Sequence, residues 1–262
     1  MSFRRHLELF TVLTSVGAFL CPFSQAESST VEVTGDESEP VYDVSSGETI
    51  IDPSAELTIT GKAFGVTLDD IENRGTLILN VTPPGRQEVD GGMPGFDITN
   101  LDMLDGSTLA FDDSRIDDGN IKVSGSVLFD SENYGYIYSE ISNGSTSGNI
   151  TKTGSGSLTL YGKDSYTGTT EVAGGELQID GDSSASTGQV SVESSAALGG
   201  TGTIGGSVDI AGGATLAAGD AGQVGTLTID GGLTLESGST TDFDLGQAGT
   251  EGGAQNDLIK VG

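Results

Sequence analysis

One stretch, Gly148–Asp180, constrains the fold more than any other: GNITKTGSGSLTLYGKDSYTGTTEVAGGELQID. It holds two runs, Leu158-Thr159-Leu160 and Leu177-Gln178-Ile179, with apolar residues two apart. Period two is the strand pattern, because successive side chains point to opposite faces. Small residues close off each run. Lys152-Thr153-Gly154-Ser155-Gly156-Ser157 precedes the first; Tyr166-Thr167-Gly168-Thr169-Thr170 and Ala173-Gly174-Gly175 precede the second. Glycine reaches positive φ at little cost, so these segments read as turns. Similar units recur at a spacing of roughly twenty residues, which favours a solenoid over a sandwich or barrel.

The residues themselves carry a resemblance. Lys152-Thr-Gly-Ser-Gly-Ser-Leu-Thr-Leu160, then Tyr166-Thr-Gly-Thr-Thr170, then Gly175-Glu-Leu-Gln-Ile179 resembles the autotransporter-associated β-strand repeat. Its pattern is a Lys-Thr-Gly-x-Gly-x-Leu strand, a Tyr-Thr-Gly turn and a Gly-x-Leu strand, and all three parts occur here in order. The stretch from Ala197 to Gly206, with Gly213-Ala-Thr-Leu-Ala217 and Gly225-Thr-Leu-Thr-Ile229, is similar to the segment usually found downstream of the repeat. Where the family often has Pro-Gly, this chain has Ala218-Gly219. The resemblance implies an autotransporter passenger region folded as a right-handed parallel β-helix. It also implies type V secretion, in which a C-terminal β-barrel carries the passenger across the outer membrane. Nothing in the sequence reads as a series of alternating barrel strands with aromatic girdles. The translocator is therefore expected as a separate partner, and the last stretch, Asn256 to Gly262, as a truncated or split β-helix.

The start of the chain is a different kind of segment. Arg4, Arg5 and His6 precede an apolar run from Leu7 to Leu20, and Ser24-Gln25-Ala26 supplies a small-x-small site. This reads as a secretory signal peptide cleaved after Ala26. The run is too short for a comfortable membrane span. Residues 27–147 are then an N-terminal β-rich, passenger-like region and residues 148–262 the β-helix with the repeat. Residues 27–45 read as a loose leader. Val81 to Gly95, with Pro83-Pro84 and Pro94, reads as an excursion, since proline lacks the N–H a ladder needs. Export leads to the cell surface or outside, or to the periplasm if no translocator is supplied.

Cleavage removes the chain's one Cys (Cys21) and one His (His6). A Ser-His-Asp triad, a Cys nucleophile and a His-ligated zinc site are thereby excluded from the mature chain. The glycines flank strands rather than opening a helix, so no phosphate loop is present. A net charge of −29 makes nucleic acid a poor partner. The 34% hydrophobic share lies below and the 42 glycines above the usual globular values, but the apolar residues come in spaced pairs between Gly-rich turns, which argues against disorder.

Carboxylates remain. Asp112-Asp113 and Asp117-Asp118 flank Ser114-Arg115-Ile116 and are read as a loop of oxygen ligands, a weak Ca²⁺ candidate beside the default of a solvated acidic turn. No other cofactor is expected. Two acids at the separation glycosidases use would also give a polysaccharide-acting enzyme, a distance that many acid pairs meet by chance. Tyr134, Tyr136 and Tyr138 alternate and so share one strand face, as a contact stripe for protein or carbohydrate or as a ladder of stacked rings. The expected function is a non-enzymatic stalk or adhesion module. Its partners would be a host or cell-surface protein or glycan, or further copies of itself. The alternatives are a β-helix enzyme and a fragment without a function of its own.

Overall fold

A computed structural model describes residues 28–33, 42–44, 49–51, 53, 56–61, 66–80, 95–219, 223–246 and 255–262. The signal segment 1–26 and the excursion 81–94 lie outside the described residues. All named strand pairings are parallel, and each paired residue lies about one turn of chain from its partner. The chain therefore coils as a three-faced β-solenoid. The described residues contain no helix.

The first face stacks Ser28–Val33, Glu56–Gly61, Thr76–Asn80, Thr108–Asp112, residues 127–131 and 150–153, Thr170–Val172, Val190–Val192, Val208–Ile210 and Leu233–Leu235. The second face runs through Tyr134–Ile137, Ser157–Leu160, Glu176–Ile179, Ala197–Gly199 and Thr215–Ala217. The third face stacks Thr49–Ile51 and residues 71–73, 100–103, 120–123 and 140–143. It resumes as a separate small sheet of Asp182–Ser183, Thr203–Ile204, Thr226–Ile229 and Leu258–Val261.

Parallel pairing in register places like residues above like. Leu57, Leu77, Leu109 and Phe129 occupy one inward column of the first face. Leu158, Leu177, Leu198 and Leu216 occupy one on the second, and Ile71, Leu101, Ile121 and Ile141 one on the third. Apart from the half-buried Leu57 at one end, these side chains are buried, and their neighbours in sequence face outward. One rung alone has nothing to cover its apolar side, so neighbouring rungs share one continuous core.

The structure corrects two readings of the sequence. The supposed loose leader contains Ser28–Val33, which already pairs along its length with Glu56–Gly61. The strands are also not uniformly short: Ser114–Ser131 and Glu140–Thr153 run around corners without a break in assignment. Glycine makes this possible. Gly119 has φ +100°, and a Cβ there would lie 1.6 Å from the Ile98 carbonyl oxygen. The backbone turns against its neighbour here, where the pairing register shifts and the Gly119 N–H is taken up by Asp118 Oδ1. Glu140–Thr153 also crosses residues 147 and 148, the boundary that the sequence suggests between its two regions.

Candidate functional site

The unit from Ile150 to Ile179 departs from the plain solenoid at two buried side chains. The first is Lys152. The sequence reading put it in a turn; the structure makes it the last inward residue of Glu140–Thr153. It stands in register between Phe129 and Val172, in a column otherwise filled by leucine, phenylalanine, valine and isoleucine. No part of it is exposed. Its ammonium Nζ donates to the carbonyls of Thr153 (2.6 Å), Gly156 (3.0 Å), Gly174 (3.1 Å) and Gly154 (3.3 Å). Three of these belong to the Thr-Gly-Ser-Gly turn and the fourth to the next rung. A lysine thus satisfies a tight loop whose carbonyls turn inward, one of which, Gly156 O, also accepts from the Glu176 N–H at 3.1 Å. Burial lowers its pKa to about 8, and the negative charges of Asp130, Glu132 and Glu176 oppose that fall.

Gly175 closes this cage. Its φ is +63°, and a Cβ would sit 2.2 Å from the Gly156 carbonyl oxygen and 2.7 Å from that of Gly154. Gly175→Ala is expected to push these acceptors off Nζ and to lower unfolding stability by about 2 kcal/mol, combining left-handed strain with disturbed hydrogen bonds. Urea denaturation at neutral pH reads this directly.

The second departure is Asp164. Third-face strand pairing stops after residues 140–143, and Asp164 occupies the gap before Asp182–Ser183. Its Oδ1 accepts from the Ile141 N–H at 3.0 Å on one side. Its Oδ2 accepts from the Ser183 hydroxyl at 3.0 Å on the other. One carboxyl therefore bridges two rungs that no strand connects. Burial raises its pKa to about 6, in spite of those two hydrogen bonds, and Glu140 and Asp182 add to the rise. Tyr166 lies beside it, fully enclosed, with its hydroxyl 2.7 Å from Thr170 Oγ1. Burial and the Asp164 charge keep the phenol protonated.

The four calcium candidates fall on opposite ends of a strand. Residues 114–118 pair on the second face, so the segment is not a loop. Asp112 and Asp113 stand at one corner, where Asp112 accepts from Asn133 Nδ2 at 2.6 Å. Asp117 and Asp118 stand at the other, Asp117 held by Arg115 at 2.8 Å and Asp118 accepting from the Gly119 N–H at 2.8 Å. Among the described residues, no group of three or more acids converges as metal ligands do. A shallow third-face groove of about 190 Å³ is lined by Asp70, Glu72 and Asp102 with Asn100 and Lys122. There Asn100 donates to Asp70 at 2.6 Å, and Lys122 lies 3.7 Å from Asp102. The tyrosines do share one outward face, and Tyr138 stacks on Tyr161 of the next rung.

Residues 150–179 match the family model of the passenger-associated transport repeat. This unit is therefore similar to a passenger-associated transport repeat. The chain is also 44% identical over 119 residues to the adhesin BmaC autotransporter of Brucella suis biovar 1 (strain 1330). That alignment covers 45% of this chain and 4% of the relative, so the chain spans a small part of that protein's length. The matched segment is thus the one built around the Lys152 cage and the Asp164 bridge. Sequence reasoning found its strands and missed both side chains. The spacing held a signal for one of them: Lys152 is two residues from the buried Ile150, on the inward side.

Proposed function

We propose that this chain is part of an exported, surface-displayed autotransporter passenger, a β-helical stalk whose outward faces adhere to a host or cell-surface protein or glycan. The observation that carries the reading is the passenger repeat set within a continuous three-faced solenoid. The relative's designation as an adhesin supports the adhesive part. A structural role also agrees with where the perturbed groups lie. Lys152 and Asp164, the obvious candidates for proton transfer, are inside the core and engaged with carbonyls, an N–H and a hydroxyl. A substrate in solvent does not reach them, and catalytic acids and bases must reach theirs.

Beads coated with the chain should attach to epithelial monolayers several-fold more than beads coated with an equally acidic globular protein. Equal attachment would remove the adhesive reading. Export has its own readout: the N-terminus of material secreted alongside a supplied translocator barrel should begin at Glu27.

A further inference from the structure

Four tyrosines stand on one face of the solenoid within two successive rungs. Tyr134, Tyr136 and Tyr138 point outward from one rung and Tyr161 from the next. Tyr134 is 54% exposed, Tyr138 44% and Tyr161 38%. On the first face the outward positions in register carry Leu128 and then the small or charged Thr151, Glu171, Ser191 and Asp209, with no aromatic among them. The core does not need these rings, because the inward residues of the same rung, Gly135 and Ile137, are themselves buried. Tyrosine is favoured where one side of a ring packs and the other meets a partner.

The rings are held in place before anything binds. Tyr138 and Tyr161 stack at 4.6 Å with 6° between planes, and Tyr136 and Tyr161 lie 6.4 Å apart at 21°. Fixed rotamers lower the entropy lost on association. Beside Tyr134, a groove of about 350 Å³ is lined by the carboxylates Glu132 and Glu176. Aromatic and carboxylate together form a site for a cationic side chain. The face already holds one such cation of its own: Arg115 is in register with Tyr136 and is paired with Asp117 at 2.8 Å. A net charge of −29 steers basic partners toward the molecule.

We propose that this tyrosine face, with the Glu132–Glu176 groove at its edge, docks an arginine- or lysine-bearing segment of a partner protein. The proposal rests on the adhesive reading and names the face and the partner chemistry.

The test is a titration of the full chain with a fluorescent peptide of alternating arginine and glycine, followed by anisotropy at about 0.15 M salt to screen long-range attraction. Replacing Tyr138→Ser and Tyr161→Ser together leaves the net charge unchanged and should weaken binding about tenfold. Phenylalanine at both positions should restore most of it. Removing two charges from the first face, Glu171→Gln with Asp209→Asn, should change affinity by about twofold or less. If the serine variant binds like the parent, or the first-face variant loses as much, only general charge attraction is at work and the proposal is overturned. A neutral oligosaccharide that binds instead of the peptide, and is lost with the tyrosines, overturns it in favour of a glycan. Bead attachment with tyrosine-independent peptide binding removes the face assignment and leaves adhesion standing. Tyrosine-dependent peptide binding without bead attachment does the reverse.

Discussion

Lys152→Ala is expected to be the most damaging single change in residues 150–179. It leaves a void between Phe129 and Val172, and it takes the ammonium from four carbonyls, of which Gly156 O keeps the Glu176 N–H. Each buried acceptor without a partner costs about 1–3 kcal/mol, and relaxation of the loop recovers part of that, so a loss of about 4 kcal/mol is expected. Lys152→Met keeps most of the stem and should lose less, because the void is filled and only the donors are gone. Chemical denaturation of the three proteins separates the packing and hydrogen-bond parts. If methionine matches the parent, the cage is not what holds the turn.

The same lysine has a pH signature. Its folded pKa of about 8 lies below the ordinary 10.5. Between those values the unfolded chain binds the proton more strongly than the folded one. Stability from this group therefore rises as pH goes from about 8 to about 10.5, at up to about 1.4 kcal/mol per pH unit. Below pH 8 both states are charged and the cost of burying the ammonium is fully present. The stability gap between parent and Lys152→Met should widen over that alkaline window and stay flat beneath it.

Asp164 gives the second large effect, with the opposite sense. Its folded pKa of about 6 lies above the ordinary 3.8, so the folded state holds the proton more tightly. The stability this confers is complete below about pH 3.8 and is lost as pH rises through about 6. At neutral pH the ionised bridge costs about 2–3 kcal/mol relative to its protonated form. Asparagine offers a carbonyl to the Ile141 N–H and an amide N–H to the Ser183 hydroxyl, with no charge to bury. Asp164→Asn should therefore match or exceed the parent at pH 7, and the parent should close the gap as the solution is acidified toward pH 4. Asp164→Ala breaks the bridge at every pH and should be destabilised throughout. The midpoint of urea unfolding from pH 4 to 8, read as the difference from the parent, tests all three. A difference that ignores pH would place the Asp164 titration outside this range.

The sequence was legible wherever a residue's direction follows from period two alone. The alternation in Leu158-Thr159-Leu160 and Leu177-Gln178-Ile179 assigns inside and outside without reference to any other strand, and the structure places both runs as read. The tyrosine face is legible for the same reason, since Tyr134, Tyr136 and Tyr138 keep one parity. The Thr-Gly-Ser-Gly run was likewise recognisable as a turn, because glycine is needed where φ is positive, as at Gly154.

Parity could not show what lies one turn away. That Lys152 follows Phe129 in a core column depends on a register shared by residues 23 positions apart. That Asp164 bridges Ile141 and Ser183 depends on a gap in a ladder, which no local pattern reveals. The four aspartates around residues 114–118 look like one cluster along the chain, but a strand between them carries them to separate corners. The sequence by itself determined the strand-and-turn rhythm, the acidic composition and the resemblance of residues 150–179 to a passenger-associated repeat, because each is written in neighbouring residues. The tertiary structure alone decided which polar side chains are enclosed and what they hold. Stacking of successive turns sets their surroundings, and those turns meet only after the chain has coiled.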